Sequence, residues 1–384
     1  MNKLKIDFYD SFECIADKCP FTCCGGWEIK IDADTCLKWK NDTHQILKLS
    51  SKAETISNNQ SEAFIRLTSD NYCPFLEERG LCSVVLNYTE DYLPKACRIF
   101  PRLENCFEEH NEYSLSLSCP AVVDLIYKKE DTIKICTEDE NAIECFETAG
   151  SKIRDILIAI MQRKGFSRMD KILLAFHMLL LLHKEPVKTD ELMKYYQDDN
   201  YLQETTRLWK NIKMVCEDTL LETGELFFDI CLNYKKEKGY QKYLNPLSEL
   251  AHKQESDLNM NKWKDFLAYF DQYEQLLEKC ITMKIFSNCN RENSVERIMS
   301  LQLIITEYVM IKYSMYLIYL SQEERNPSDR LNYQDIRDYI VIYSRMIENN
   351  PKGMEEFWEE CFDEPIWDFG YLLLLIYEEG QAND

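Results

Sequence analysis

The cysteine content constrains this chain more than any other feature. The 384 residues include 17 cysteines, and 12 of them lie before residue 146. Disulfide-rich folds are typically small and secreted, whereas this chain is long, has an odd cysteine count and shows no signal peptide after Met1. Dense cysteines in a reducing compartment more often bind zinc or an iron–sulfur cluster. We therefore expect a metal-binding segment in the first third of the chain.

The candidate metal ligands fall into two blocks. Four cysteines precede or adjoin Gly25-Gly26-Trp27, and four more, spread over residues 73–119, can meet only through folding. Proline directly follows three of the eight, which favours rigid loops because proline restricts its own backbone. Four thiolates complete a zinc site or a cubane cluster, so eight allow one site or two. The predicted ligands are Cys14, Cys19, Cys23, Cys24, Cys73, Cys82, Cys97 and Cys119.

Seven other cysteines are interpreted as structural. Free cysteine behaves as a small apolar residue and is often buried. These seven are scattered through apolar or helical patterns and form no block of their own. They are Cys136, Cys145, Cys216, Cys231, Cys280, Cys289 and Cys361.

The remaining pattern is helical. Only 10 glycines and 10 prolines are present, and so few turn formers favour long helices over a sandwich or barrel. We predict a mainly α protein, in which an N-terminal cysteine-rich metal-binding domain with little regular structure (residues 1–135) precedes an all-helical domain (residues 136–384). Residues 41–70 are also moderately helical in pattern, Asp34 is a candidate cap for a helix beginning near Thr35, and Pro246 is a predicted break. Helices are predicted at residues 121–129, 142–163, 169–182, 201–219, 263–283, 295–320, 333–347, 354–361 and 367–377.

Charge and hydropathy restrict the partners. Lysine and arginine number 45 against 67 aspartate and glutamate residues, a formal net charge of −22. A phosphate backbone would be repelled, so we expect no nucleic-acid binding, whereas a lysine-rich partner would be attracted. The apolar segment 301–320 is interrupted by Glu307 and Lys312, so we interpret it as a buried helix. We expect a cytoplasmic protein without membrane association.

Five motifs in the first third of the chain carry a resemblance to known proteins. They are Phe12-Glu13-Cys14; Cys19-Pro20 with Cys23-Cys24-Gly25-Gly26-Trp27 and Ile29; Cys73-Pro74-Phe75-Leu76 with Leu81-Cys82; Cys97-Arg98 with Phe100-Pro101-Arg102; and Leu117-Ser118-Cys119-Pro120. In order and spacing, these cysteine blocks resemble the flagellin lysine-N-methylase family. They are also similar to a broader group of small zinc- or iron-binding proteins.

The resemblance implies a cytoplasmic protein-lysine N-methyltransferase that modifies flagellin. It implies S-adenosylmethionine as the methyl donor and an iron–sulfur cluster, of the 4Fe–4S type, held by the N-terminal cysteines. Zinc is the alternative metal, because the spacing alone does not separate zinc from iron–sulfur.

The residues themselves leave the donor site, the catalytic residues and the oligomeric state unassigned. No GxGxxG motif follows a strand, so a Rossmann-type donor site is not expected. The alternative function is a non-catalytic protein-binding module stabilised by zinc or iron. Binding of S-adenosylmethionine separates the two, since only the enzyme needs the donor.

Overall fold

The computed structural model describes residues 2–27, 29–41, 51–56, 60–108, 110–137, 148–212, 214–254, 259–322, 331–349 and 351–378. Helices dominate these ranges, as the mainly α prediction requires. The helices are α1 (Ala33–Asn41), α2 (Ser83–Asn87), α3 (Lys95–Ile99), α4 (Pro120–Lys128), α5 (Ala149–Met161), α6 (Arg168–Lys184), α7 (Thr189–Tyr195), α8 (Asp199–Lys210), α9 (Cys216–Asn233), α10 (Lys238–Gln254), α11 (Met260–Asn288), α12 (Ser294–Gln322), α13 (Tyr333–Glu348), α14 (Pro351–Cys361) and α15 (Phe369–Ile376).

Two small β-sheets lie mainly in the cysteine-rich part of the chain. The strands are β1 (Asn2–Ile6), β2 (Lys30–Ile31), β3 (Ser51–Ile56), β4 (Gln60–Ile65), β5 (Arg102–Cys106), β6 (His110–Leu115) and β7 (Ile135–Thr137). The first sheet has the order β5-β6-β1-β7, with β1 parallel to β6 and antiparallel to β7. The second has the order β2-β4-β3, with antiparallel pairs.

These strands correct the prediction of little regular structure before residue 136. In the first sheet, Asn2 pairs with His110, which follows it by more than 100 residues, and local sequence patterns do not report such pairing. The helical interpretation of residues 41–70 is also wrong over residues 51–56 and 60–65, because β3 and β4 form an antiparallel pair there. The first sheet crosses the predicted domain boundary through β7; the division into two domains stays a prediction.

Two local helix signals also need correction. Helix α1 begins at Ala33, and the Asp32 carboxylate accepts a hydrogen bond from the Thr35 backbone N–H at 3.0 Å, so Asp32 rather than Asp34 caps the helix. Helix α10 continues through Pro246, where a break was predicted. The predicted helix over residues 201–219 is two helices, α8 and the start of α9.

The described residues form one large core and one small core. The large core joins most long helices to the first sheet and α4. The small core contains Ile29, Ile31, Trp39, Ile65, Cys73, Phe75, Val84 and Leu93. The small core therefore brings together chain segments that carry the cysteine motifs.

Helix α12 is buried, as predicted, although its charges interrupt an apolar run. Among the described helices, it is the one that is long and apolar enough to cross a membrane. Within its most apolar stretch of 18 residues, 83% is buried inside the protein. Glu307 pairs with Lys284 of α11 at 2.7 Å, and Lys312 lies 3.6 Å from Glu274. Buried charges need such partners, and the charged side chains of Glu307 and Lys312 both find them within the helical core.

Candidate metal centre

Backbone pairing brings the first two cysteine motifs together. Gly26 donates its backbone N–H to the Asn71 carbonyl at 3.0 Å, and Cys73 donates to the Cys24 carbonyl at 2.7 Å. Gly26 has a φ of 85°, in the left-handed region that favours glycine. The chain therefore turns sharply after the adjacent cysteines, and the segment from Cys24 to Gly26 runs beside the segment that ends in Cys73.

A turn then places Cys82 beside Cys73. Leu76 forms an isolated antiparallel bridge with Cys82, and the Ser83 N–H donates to the Phe75 carbonyl at 2.7 Å. Cys73 is buried, and Phe75 packs edge-on against Trp39 with ring centroids 5.7 Å apart. This contact anchors the turn in the small core.

Asp32 sets the position of Cys97. The carboxylate that caps α1 also accepts a hydrogen bond from the backbone N–H of Lys95 at 2.6 Å. Lys95 is the first residue of α3, the short helix that contains Cys97. The hydrogen bonds from Lys95 and Thr35 lower the pKa of Asp32 and outweigh the opposing effect of its partial burial.

Five cysteines line one cavity of about 350 Å³. The remaining walls are mainly apolar, and Trp27 closes part of them: its indole N–H donates to the Cys23 carbonyl at 2.8 Å, and its ring packs edge-on against Phe100 at 4.9 Å. The five cysteines are Cys23, Cys24, Cys73, Cys82 and Cys97.

Burial and contacts among the thiols raise the pKa of Cys24 and Cys97 in this cavity, although one thiol–thiol hydrogen bond acts in the opposite direction. Cys24 forms side-chain hydrogen bonds with Cys23, which lowers its pKa, and with Cys73, which raises it; burial adds to the rise and brings the pKa of Cys24 to about 12. Burial, followed by the neighbouring thiols, also raises the pKa of Cys97. A bound cation would reverse this balance, because thiolates are the metal-ligating form.

The other three predicted ligands form a second group. Burial raises the pKa of Cys119 to about 12; two backbone hydrogen bonds oppose the rise, and the nearby Cys19 and Cys14 add to it. Cys14 is exposed, whereas Cys119 is buried at the start of α4. The structure thus divides the eight cysteines into five and three, rather than into the two blocks of the sequence. Metal ligation by these residues stays a prediction.

The five cysteine side chains surround the cavity and do not meet at a single point. Among the described residues, no three His, Cys, Asp or Glu side chains are gathered closely enough to hold a metal ion. Zinc needs four ligands, with sulfur about 2.3 Å from the metal. Thiols spread around a cavity of about 350 Å³ fit a group of several atoms better than a single ion.

A smaller cavity, of about 140 Å³, adjoins the same segment. It lies between Gly25-Gly26 and helices α10 and α13, and Tyr240 donates a hydrogen bond to the Gly26 carbonyl at 3.3 Å. Lys242 and Arg345 supply positive charge to its lining, and Asp70 supplies one negative charge. Neither of the two cationic side chains is identifiable from the sequence, since both lie in helices far from the cysteine motifs.

Of the cysteines interpreted as structural, Cys216, Cys280 and Cys289 are buried, Cys231 is half-buried, and Cys136 and Cys361 are exposed; Cys145 lies outside the described residues. Burial confirms the structural interpretation for the first three. Cys136 lies in strand β7 and is not in either thiol group.

Several known proteins that are similar to this chain share the description lysine N-methylase. Residues 154–375 match the family model of the FliB lysine N-methylase C-terminal domain, which is more than half of the chain. The chain is 23% identical to a lysine-N-methylase of Salmonella choleraesuis (strain SC-B67) over 380 residues, covering 91% of this chain and 92% of the relative. It is 22% identical, with the same coverage, to a lysine-N-methylase of Salmonella typhimurium (strain LT2).

A shorter match involves a flagellar protein. The chain is 30% identical over 132 residues to the flagellar biosynthetic protein FliU of Salmonella muenchen, covering 33% of this chain and 78% of that protein. No solved structure matches the chain. The predicted family resemblance and the predicted enzyme class, a protein-lysine N-methyltransferase, are confirmed by these relatives. The chain belongs to the family of the FliB lysine N-methylase C-terminal domain.

Proposed function

We propose that this protein methylates lysine side chains of flagellin in the cytoplasm, with S-adenosylmethionine as the donor and an iron–sulfur cluster in the five-thiol cavity. The single observation that supports the cluster is the cavity of about 350 Å³ lined by five cysteines. The family supports lysine methylation, and the match to FliU supports a flagellar substrate. The sixteen described cysteines are free thiols, in keeping with a reducing compartment.

The cluster would be held by four of the five thiols, which are Cys23, Cys24, Cys73, Cys82 and Cys97. Adjacent cysteines cannot easily ligate one metal ion, but a cluster with several iron atoms offers separate positions to Cys23 and Cys24. When bound, such a cluster supplies redox or Lewis-acid chemistry. The apolar lining would exclude water from it and strengthen electrostatic interactions there.

The methyl transfer itself makes limited chemical demands. The neutral lysine amine attacks the methyl carbon of the donor sulfonium, the carbon–sulfur bond breaks, and S-adenosylhomocysteine leaves. The amine must lose its proton first, so a base or a desolvated position has to lower its pKa.

The smaller cavity beside Gly25-Gly26 supports a donor site at this position. Lys242 and Arg345 line it and would attract the carboxylate of the donor's methionine part. A cavity of about 140 Å³ holds only that part, so we place the nucleoside outside it. Substituting Lys242→Met should weaken binding of S-adenosylmethionine in titration calorimetry, whereas an exposed lysine elsewhere, Lys128→Met, should leave the affinity unchanged.

The first experiment is analysis of protein purified without oxygen. Iron with matching sulfide, visible absorption and transfer of labelled methyl groups to flagellin would support the proposal. Stoichiometric zinc without iron, together with no binding of S-adenosylmethionine, would favour the non-catalytic module instead. Purified flagellin with its lysines acetylated serves as the substrate control, because it offers no free amine.

A further inference from the structure

One wall of the smaller cavity comes from the loop of residues 68–72. Asp70, Asn71 and Tyr72 of this loop line the cavity, whereas its two cations, Lys242 and Arg345, come from helices α10 and α13. The nucleoside of the proposed donor lies outside the cavity, because about 140 Å³ holds only the methionine part. The nucleoside therefore needs a surface next to the cavity, and this loop supplies lining that carries no cation.

Hydrogen bonds within the loop fix its shape. The Thr68 N–H donates to the Tyr72 carbonyl at 2.8 Å, and the Asn71 N–H donates to the Thr68 carbonyl at 3.0 Å. The Tyr72 N–H donates in turn to the Thr68 hydroxyl at 3.2 Å. Asn71 has a φ of 65°, in the left-handed region that asparagine adopts more readily than most residues. The loop is thus a closed turn, which holds Asp70 and Tyr72 in place beside the cavity.

Gly25 fixes the position of the Tyr72 ring. The two residues form an isolated antiparallel bridge. A Cβ atom on residue 25 would lie 2.6 Å from the Tyr72 ring, closer than side-chain atoms pack, so only glycine allows this contact. The ring therefore rests directly on backbone, yet Tyr72 is still 36% exposed.

The other aromatic side chains of the cavity are already covered. Four line it, and two of them, Phe21 and Tyr240, are buried. Tyr243 stacks on Phe21 with centroids 5.9 Å apart, and the Lys242 ammonium lies over its ring at 4.7 Å. Within the part of the chain that the structure describes, no ring and no cation lies against the fourth, Tyr72. Exposed aromatic rings of this kind bind nucleobases by stacking.

Asp70 adds a hydrogen-bond acceptor to the same loop. It is exposed, and its ionised carboxylate can only accept hydrogen bonds. At dinucleotide sites a carboxylate of this kind accepts from a ribose hydroxyl. In S-adenosylmethionine the ribose joins the adenine to the sulfonium. A loop that holds the adenine on Tyr72 therefore has its carboxylate on the side of the ligand where a ribose acceptor is needed.

We propose that residues 68–72 form the nucleoside subsite of the donor site, in which adenine stacks on Tyr72 and the ribose hydroxyls donate hydrogen bonds to Asp70. The inference rests on the proposed function in taking an S-adenosyl compound as the ligand. Lys242 and Arg345 attract the carboxylate at the other end of the ligand. Because the two ends meet different elements, variants at each end should have separable effects.

Two ligands test the two ends of the site in the full-length protein. S-adenosylhomocysteine carries both ends, whereas methylthioadenosine carries the nucleoside alone. By titration calorimetry, we expect Tyr72→Leu to weaken binding of both ligands about tenfold, and Lys242→Met to weaken binding of S-adenosylhomocysteine alone. Tyr72→Phe keeps the ring and should bind both ligands as wild type does.

The control for loss of an exposed ring is Tyr195→Leu on α7, which should leave both affinities unchanged. Wild-type affinity for methylthioadenosine in Tyr72→Leu would overturn the proposal. So would a wild-type protein that binds S-adenosylhomocysteine and does not bind methylthioadenosine.

Asp70→Asn tests the ribose contact. The amide is a weaker acceptor than the carboxylate, so we expect methylthioadenosine, which is uncharged, to bind about tenfold less tightly. Asp190→Asn removes an exposed carboxylate from α7 and should bind it as wild type does. Weaker binding of S-adenosylhomocysteine alone would mean that Asp70 meets the ammonium of the ligand, and would overturn the ribose assignment.

Kinetics with flagellin distinguish this inference from the proposed function. If both hold, Tyr72→Leu raises the KM for S-adenosylmethionine about tenfold. Nucleoside binding that depends on Tyr72, without any methyl transfer, would leave the subsite standing and remove the proposed activity. Methyl transfer with an unchanged KM for S-adenosylmethionine in Tyr72→Leu would do the opposite.

Discussion

Arg345 of helix α13 donates from Nη1 to the carbonyl of Thr22 at 2.9 Å, across 323 residues of sequence. Its Nε donates to the Ser118 carbonyl at 3.0 Å, and the guanidinium lies over the Phe21 ring. Thr22 directly precedes the adjacent cysteines of the five-thiol cavity, and Ser118 directly precedes Cys119 of the second thiol group. One side chain from the helical part therefore holds segments of both thiol groups.

Replacing Arg345→Lys should loosen this arrangement without unfolding the protein. A lysine ammonium is a compact group on a flexible stem and cannot reproduce the planar fork that reaches two carbonyls. We expect the variant to release its metal to a chelator about tenfold faster than wild type, the lower end of the effect of losing a supporting contact at a metal site. Arg337→Lys, on the same helix, is the control, and equal release rates in all three proteins would contradict the prediction.

Cysteine substitutions should separate the two thiol groups. Cys24→Ser and Cys97→Ser remove thiols from the cavity, so we expect both variants to lose most of their metal and visible absorption. Cys136→Ser removes an exposed thiol outside both groups and should retain the wild-type content. The metal content of each variant is measured on protein prepared without oxygen. Full retention of metal in both cavity variants would place the centre elsewhere, because only one of the five thiols can be spare.

Cys14→Ser tests whether the second thiol group holds its own metal. Cys14 is exposed and does not line the five-thiol cavity. If there is one centre, the variant should keep all of its metal. A partial loss that leaves the visible spectrum of the first centre intact would instead show two centres.

The buried carboxyl of Glu307 should make stability depend on pH. Burial outweighs the attraction of Lys284 and, with the negative charge of Glu348, raises the pKa of Glu307 to about 7. In an unfolded chain the carboxyl titrates near 4.3. Between these values the folded state holds a proton that the unfolded state lacks, so this stabilisation is complete below the lower pKa and disappears as the pH rises through about 7.

Glu307→Gln isolates this contribution. The amide keeps the shape of the side chain and cannot titrate, and Lys284 retains Glu348 at 2.5 Å. We expect the free energy of unfolding of wild type to fall by about 2–3 kcal/mol more than that of the variant between pH 5 and pH 8. Urea denaturation of both proteins at pH 5 and at pH 8 measures this difference in the free energy of unfolding. Parallel pH dependences in the two proteins would show that Glu307 does not titrate in this range.

The aromatic core of the long helices should dominate stability. Phe266 is fully buried in α11 and stacks on Trp263 and Phe270 with centroids 5.4 and 5.1 Å apart. Phe266→Ala leaves a cavity and should cost about 3–5 kcal/mol of the free energy of unfolding. Leu232→Ala, at a position that is 65% exposed, should cost less than about 0.5 kcal/mol. Similar losses for the two variants would mean that the core relaxes around the deletion.

Sequence patterns were most informative where structure is local. The apolar spacing predicted long helices near α11, α12 and α13 because helix formation and amphipathic burial depend on neighbours three or four residues apart. Pro246 misled the prediction because, in the helix that contains it, packing outweighs intrinsic preference. The strands before residue 136 were missed because β1 depends on partners in β6 and β7.

The eight cysteines and their rigid Cys-Pro steps were readable from the sequence because residue type alone determines which side chains supply thiolates. Their grouping into five and three was decided only by tertiary structure. Cys24 meets Cys73 through backbone pairing, and Cys97 is positioned through Asp32. Arg345 likewise reaches Thr22 only after α13 has packed against the cysteine-rich part. Composition thus determined the chemistry available to this protein, and long-range packing decided which of those side chains lie together, because contacts between distant segments leave no periodic signal in the chain.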